Sequence, residues 1–491
     1  MEQARRILSN TMLLTGVRVV VPIMSLAVVL TLSRVLGAEG LGQYTLAFTV
    51  LYVINTAAPF GLYALITREG ARSHDEIPRL LGSGFLLAAC ATIPLSFILA
   101  ASGEWLGYDA ETCSALRMLS LSVFPFVLVT LGEAAFVAIE KVKWVAAVTV
   151  GENLVKVSGS LYALLGGYGL EGVVIAAVAG KAVAALLVLI LLRIEQLRIA
   201  WPDRGVTARL AKAAPTFLAI QVFAMIYWRI DILMLSKLGD SVADVGFYGA
   251  AYRIFELVMI VPQSLCLALY PQVVQASHDN VAHLRSIGRE TLRYLGAAVL
   301  PAAIAATLAG DRILELLYGT EFAPATGTLA VLIWAVVPFA WVRYHAYVLV
   351  ATDRQRVDLV LNVGLSAVNV VLNLMLIPRF GHLGAAVATL IAISCYATCQ
   401  YTYLRTELPE HLGRMPADPS PLIAGGVMAL TLVALRELPV LATLTVAGLV
   451  YLITLWRTGF FDSIDPELFP FARFLRRSGI DATSETAAER S

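Results

Sequence analysis

Charge is what this sequence has little of. Only 14% of its 491 residues are Asp, Glu, Lys or Arg, against 59% in the hydrophobic set, and the mean hydropathy is +0.78. An ordinary soluble domain carries about 25% charged residues, so most of this chain belongs in a membrane. The 36 basic and 35 acidic residues nearly cancel, and net charge points to no nucleic-acid partner. Cysteine is sparse as well. Cys90, Cys113, Cys266, Cys395 and Cys399 form no disulfide framework and no metal-ligand spacing, so they read as small packing residues. There is no Walker A sequence, no Gly-x-Ser-x-Gly and no metal-spaced His/Cys cluster. The longest outside segments, about 101–114 and 310–325, are too short to favour a membrane enzyme that polymerises or ligates glycans. These absences leave transport as the class, with no metal and no organic cofactor.

Long apolar runs are what the chain has in quantity. Runs of about 20 residues recur throughout, each long enough to cross a hydrocarbon core of roughly 30 Å as a helix, and the alternation of a membrane β-barrel is absent. The opening MEQARRILSN resembles a signal-peptide start, but the following run continues to about Gly37 without a small-residue cleavage site, so it is expected to be a retained span. Spans are expected at 11–36, 41–66, 80–101, 115–138, 145–166 and 170–192, then at 213–236, 246–270, 293–310, 325–350, 357–377 and 383–404. A final pair falls at 419–435 and 438–456. The expected fold is an all-α polytopic membrane protein of about 14 helices: an N-lobe (1–192), a linker (193–212), a C-lobe (213–404), a helix pair (405–457) and a tail (458–491).

Lys and Arg concentrate in cytoplasmic loops. One set of segments holds Arg5 and Arg6, Arg68 to Arg79, Lys141 and Lys143, Arg193 to Lys212, Arg285 to Arg293, Arg354 and Arg356, Arg405 and Arg414, and the tail. The opposite loops hold only Arg34, Lys237, Arg312, Arg379 and Arg436. Both termini are therefore expected in the cytoplasm.

The chain repeats itself. LSRVLGAEGLGQY (Leu32 to Tyr44) returns as LSKLGDSVADVGFY (Leu235 to Tyr248), an apolar helix ending in Leu-Ser-cation followed by a turn and a helix opening on Gly-x-Tyr. GGYGLEGVVIAAVAG (Gly166 to Gly180) likewise resembles PRFGHLGAAVATLIA (Pro378 to Ala392). Tyr44 and Tyr248 lie 204 residues apart, and Tyr168 and Phe380 lie 212 apart. Two landmarks, each about two hundred residues apart, indicate one duplication of two six-helix lobes, both starting in the cytoplasm. Such a parallel repeat is expected to have its axis along the membrane normal.

Ionisable groups inside spans are expensive and are functional-site hypotheses by default. Arg18, Lys156, Lys181, Arg229, Arg253 and Arg343 are the cations; Glu133, Glu152, Asp231 and Glu256 are the acids. Each has a structural reading too. Glu152 and Lys156 are four apart and Arg253 and Glu256 three apart, so either pair could be a local salt bridge, and Arg18 and Arg343 could snorkel. Six intramembrane cations, at roughly 2.5 to 3.5 kcal/mol each, still suit a cationic pocket. A diphosphate is the anion that several Arg and Lys clamp best. Glu152, Asp231 and Glu256 are candidates for H+ or Na+ coupling. Asn362, Asn369 and Asn373 share a helix face, either as interhelical hydrogen-bond partners or as sugar contacts. Tyr227, Trp228, Tyr344 and His345 adjoin the arginines as stacking or belt residues.

With LSRVLGAEGLGQY after the first helix, YGLEG before the sixth, a basic linker and a second six-helix lobe, the chain resembles the polysaccharide transport (Wzx-type flippase) branch of the multidrug/oligosaccharidyl-lipid/polysaccharide exporter superfamily, over about residues 5–457. The resemblance implies translocation of an undecaprenyl-diphosphate-linked oligosaccharide, for O-antigen, exopolysaccharide or a similar glycan, from the cytoplasmic to the periplasmic leaflet of the inner membrane. It implies a cationic cavity, matched by type and depth at Arg18, Lys156, Lys181, Arg229, Arg253 and Arg343. Membrane lipids, and glycan polymerase and chain-length proteins, are the implied partners. The alternative is a cation-coupled multidrug or small-molecule antiporter of the same superfamily.

Overall fold

The computed structural model describes the backbone of residues 2–279, 281–409 and 418–461, and the side chains of all of these except 2–15, 17–19, 216, 219, 220, 222–228, 278, 279 and 281. The described residues are helices and short connectors, with no strand among them. The chain divides into two compact units, 1–249 and 250–491.

The first unit contains α1 (Glu2–Ala57), α2 (Leu62–Arg72), α3 (Ile77–Trp105), α4 (Ala110–Ser120), α5 (Val123–Ala138), α6 (Val142–Leu165), α7 (Gly169–Ile194), α8 (Arg204–Leu238) and the opening of α9 (Val242–Asp279). The second holds the remainder of α9, then α10 (Val281–Leu308), α11 (Gly310–Tyr318), α12 (Ala325–Leu332), α13 (Val336–Ala351), α14 (Gln355–Glu407), α15 (Ser420–Ala434) and α16 (Val440–Arg457). Because α8 packs against α1, α2 and α3, the unit boundary falls later than the linker.

Eight helices among the described residues are long and apolar enough to cross a membrane, or nine if the bent pair α4 and α5 forms one span; α15 is shorter. Two of the eight each cover two expected spans. Gly37 (φ 68°, ψ −165°) interrupts α1, and Gly381 (φ 55°, ψ −134°) interrupts α14. Left-handed φ at these points costs glycine little. The second repeat landmark keeps this conformation in both copies, since Gly169 has φ 60° where α7 begins.

Local sequence sets the helix starts. Asp109 caps α4: its carboxylate accepts from the Thr112 N–H (3.0 Å) and hydroxyl (2.7 Å), and also from the Gln43 amide (3.0 Å). Asp203 caps α8 by accepting from the Val206 N–H at 2.8 Å. At the far end of α8 the motif cation Lys237 lies over the Tyr108 ring at 3.6 Å and donates to the Leu106 carbonyl. Tyr108 in turn bonds Ser236 at 3.0 Å.

The first repeat landmark is a helix crossing. A Cβ on Gly42 would fall 2.1 Å from the Val242 carbonyl oxygen, and a Cβ on Gly246 would fall 2.0 Å from the Ala38 carbonyl oxygen. Gly246 lies 204 residues after Gly42, and Val242 lies 204 after Ala38. Each copy thus presents its glycine to the helix start of the other, at a distance only a missing side chain allows.

In the second unit α10 is the common wall of two cores. On one side Leu284, Ile287 and Leu295 pack with Cys266, Tyr344, Val348 and Leu404. On the other, Ala297 packs with Ala424, Met428, Ala447, Tyr451 and Phe460. Arg293 ties the terminal helix pair to α10. Its guanidinium bonds Asp418 and the Phe460 carbonyl (2.9 Å), lies 4.3 Å over the Phe460 ring, and sits 3.6 Å from Glu290. Tyr451 adds a buried hydrogen bond to the Ala297 carbonyl at 2.7 Å. The outward faces of α15 and α16 carry Leu422, Leu430 and Leu441, all exposed. An apolar surface of that kind suits hydrocarbon.

Candidate functional site

In the first unit, helices α6 and α7 form a closely packed pair, and the intramembrane charges sit near their middle. Gly180 makes the close approach possible, since a Cβ there would meet the Glu152 carbonyl oxygen at 3.0 Å and the Lys156 Cβ at 3.1 Å. One residue further along α7, Lys181 bonds the Glu152 carboxylate at 2.6 Å. Its ammonium also lies 5.1 Å from the centre of the Phe126 ring on α5. Glu133 on α5 is within Coulombic reach of both Lys181 and Glu152. Both members of the pair are mostly withdrawn from solvent, at 18% and 16% side-chain exposure. Glu152 therefore makes its ion pair across two helices, where the sequence offered Lys156 on the same helix.

Lys156 is half-buried beside this pair on α6. Arg229, on α8, lies over the Tyr52 ring of α1 at 5.4 Å. Asp231, two residues on, is 4% exposed and accepts a hydrogen bond from the buried Tyr248 hydroxyl at 3.0 Å. The side chains of Arg18, Tyr227 and Trp228 lie outside the described residues.

In the second unit Arg253 pairs with Glu256 at 3.0 Å, one helical turn apart as the spacing suggested. Arg343 lies 5.6 Å over the Tyr347 ring, and its Nε is buried without a hydrogen-bond acceptor among the described residues. Its neighbours Tyr344 and His345 are buried in the core, so neither is presented to a ligand in this conformation. The asparagine stripe on α14 is real. Asn373 donates to the Asn369 side-chain oxygen at 3.0 Å, both buried, and Asn362 reaches the Tyr396 hydroxyl at 3.5 Å.

Sequence reasoning missed two features. Phe126 is an aromatic floor for Lys181, invisible because it comes from a helix about 55 residues earlier in the chain. The second is Asp358, whose carboxylate accepts from Tyr396 (2.8 Å) and Gln400 (2.7 Å). Its signal was available: Asp358 lies four residues before Asn362 and so extends the asparagine stripe by one turn.

In class, the described residues are those of a multi-pass, all-helical membrane protein with paired charges in the middle of its apolar helices. The particular assignment comes from comparison with known proteins. The model of the "Polysaccharide biosynthesis protein" family matches residues 7–277, and that of "Lipid II flippase MurJ" matches 172–463. The chain belongs to the polysaccharide biosynthesis protein family, and the lipid II flippase family model also matches more than half of it.

"Probable flippase AglR" of Haloferax volcanii is 28% identical over 203 residues, 39% of this chain and 41% of that protein. The match thus spans about two fifths of that relative's length. Among solved structures, lipid II flippase MurJ in an inward closed conformation aligns with TM-score 0.73 at 14% identity, covering 92% of this chain and 98% of that one. An inward-facing MATE multidrug resistance transporter of the MOP superfamily aligns with TM-score 0.65 at 15% identity, covering 80% and 98%. At such identities these likenesses establish the fold.

Proposed function

We propose that this protein carries an undecaprenyl-diphosphate-linked oligosaccharide, of the O-antigen or exopolysaccharide kind, from the cytoplasmic to the periplasmic leaflet of the inner membrane by alternating access. The proposed topology has 14 spans, with both termini in the cytoplasm. The observation that carries the reading is the Lys181–Glu152 pair, a cation held in mid-helix by a carboxylate that a diphosphate can replace. Lys156, Arg229, Arg253, Arg343 and Arg18 supply the remaining positive charge along the path. Asn362, Asn369 and Asn373 are the proposed sugar contacts, which requires a conformation in which the latter two part.

The electrical gradient fits the direction. With the cytoplasm negative, an anion moving outward gains about 2.3 kcal/mol per charge per 100 mV, so a diphosphate head group can be driven without ATP. Coupling to H+ or Na+ through Glu152, Asp231 or Glu256 is the second source of drive. The buried Asp231, bonded to Tyr248, is the feature that favours the antiporter reading.

The deciding experiment is translocation of a diphosphate-linked oligosaccharide in proteoliposomes by the intact protein, Lys156→Ala and Lys181→Ala. Loss of transport in folded, inserted variants supports the flippase. Unchanged transport removes those lysines from the path. Absence of glycan transport together with drug efflux by the intact protein identifies the antiporter.

A further inference from the structure

The linker after α7 is fixed in place. Gln196 adopts a left-handed φ of 57°, turning the chain back along α3. The Ala200 N–H donates to the Pro78 carbonyl at 3.0 Å, and the Asp203 N–H donates to the Ser83 hydroxyl at 3.1 Å. This path creates two adjoining openings with Ile199 as their common wall. One is an apolar cleft of about 480 Å³ between Phe85 and Leu86 of α3, Phe124 and Leu128 of α5, and Trp201 of the linker. The other, about 610 Å³, contains Arg193, Gln196 and Arg198.

The charges around these openings are unequal in kind. Lys141 is paired with Glu195 at 3.4 Å and Arg209 with Glu76 at 2.9 Å. Arg193 and Arg198 are exposed and, among the described residues, make no ion pair or hydrogen bond through their guanidinium groups. Trp201, in the cleft wall, is 93% exposed, and Leu86, Phe124 and Ile199 are also open to the outside. Both α3, which lines the cleft, and α7, which lines the second opening, are membrane-crossing candidates, so the two openings lie beside the ends of two spans. Tryptophan is enriched where the bilayer meets water, and free arginines near that level attract anionic head groups.

We infer that the linker forms a site for a resident anionic phospholipid of its own leaflet, with the phosphate on Arg193 and Arg198 and an acyl chain in the Phe85–Phe124–Trp201 cleft. Arginine suits the phosphate because its planar donors form paired hydrogen bonds with phosphate oxygens. The apolar cleft alone would accept any acyl chain. The two unpaired guanidinium groups beside it select the charge. Bound lipid there would hold the linker against α3 and α5, and the site does not depend on which substrate the protein carries.

The test uses the full chain in phosphatidylcholine liposomes containing either brominated phosphatidylglycerol or brominated phosphatidylcholine at equal mole fraction, reading tryptophan emission. Trp201→Phe defines the component due to Trp201 among the seven tryptophans, and gel filtration confirms that each variant is folded. Brominated phosphatidylglycerol is expected to quench that component at lower mole fraction than brominated phosphatidylcholine. In Arg193→Gln and Arg198→Gln the preference is expected to fall by about fivefold per arginine removed. Equal quenching by the two lipids in the unaltered protein would overturn the anionic site. Displacement of the brominated phosphatidylglycerol by undecaprenyl diphosphate and not by unlabelled phosphatidylglycerol would overturn the resident phospholipid in favour of substrate.

Discussion

Substitutions at the Lys181–Glu152 pair separate a structural ion pair from a working one. At 2.6 Å and an effective dielectric constant of about 20, the attraction is about 6 kcal/mol before desolvation is subtracted. Removing one partner of such a withdrawn pair costs about 3 to 5 kcal/mol, because the other charge stays buried alone. The two removals are not equal here. Lys181→Met leaves Glu152 and Glu133 as neighbouring carboxylates without their cation, whereas Glu152→Gln leaves Lys181 with Glu133 and the Phe126 ring. Lys181→Met is therefore expected to be the more destabilising single change in thermal unfolding in detergent. The double variant should recover most of the loss. Transport should follow a different order: retained in Glu152→Gln, and absent from both Lys181→Met and the double variant. A stable double variant that flips lipid-linked glycan at the unaltered rate would refute the reasoning and make the pair purely structural.

Gly42→Ala and Gly246→Ala should each destabilise the first unit by about 1 to 3 kcal/mol or more, since a carbonyl oxygen occupies the place of the new methyl group; a thermal-shift assay in detergent would expose a mistaken crossing as two unchanged midpoints. Arg293→Ala should loosen α15 and α16 by about 3 to 5 kcal/mol, leaving the mostly buried Asp418 without its cation and Glu290 with the exposed Arg289 alone, which limited proteolysis between residues 408 and 420 would report as faster cleavage. Asp418 also predicts a pH dependence. Burial raises its pKa, but hydrogen bonds from Ser420 and the Arg293 charge outweigh this and hold it below the ordinary value of 3.8. A lowered carboxylate pKa contributes stability above the unfolded value and loses it as pH falls through the folded one; docking of α15 and α16 should thus be insensitive to pH from 5 to 8 and weaken only below about 4. An earlier loss of protection, or none in Asp418→Asn, would contradict that assignment. Tyr248→Phe should cost about 1 to 3 kcal/mol by leaving Asp231 short of a buried donor, measured by denaturation of the first unit's tryptophan signal.

Much of this was legible because membrane proteins write their constraints along the chain. Apolar run length marks the long membrane-crossing helices, and the 204-residue spacing marks the residues of the glycine crossing. The Arg253–Glu256 pair was visible because its partners are one turn apart. What stayed hidden depends on which helix faces which. Spacing alone favoured Lys156 as the partner of Glu152, yet the close packing at Gly180 brings Lys181 onto it from α7. Arg293 read as one more positive charge at a cytoplasmic span end, and only the return of Asp418 and Phe460 from far along the sequence makes it an anchor. The breaks inside α1 and α14 were legible too: the backbone leaves helical φ/ψ at Gly37 and Gly381, so each is two helices joined across a kink, between the spans expected at 11–36 and 41–66 and at 357–377 and 383–404.

The glycine crossing carries a consequence of symmetry. In a dimer of identical chains with a two-fold axis, a contact from one residue to a second is always answered by the reverse contact. Gly42 on Val242 and Gly246 on Ala38 obey that rule inside a single polypeptide. They have the form of an isologous interface within one chain. In a dimer of one gene's product a mutation strikes both such contacts at once. Here each can change alone, so one side of the crossing can be tightened while the other is loosened, and a joint of two unequal halves is able to favour one direction of motion.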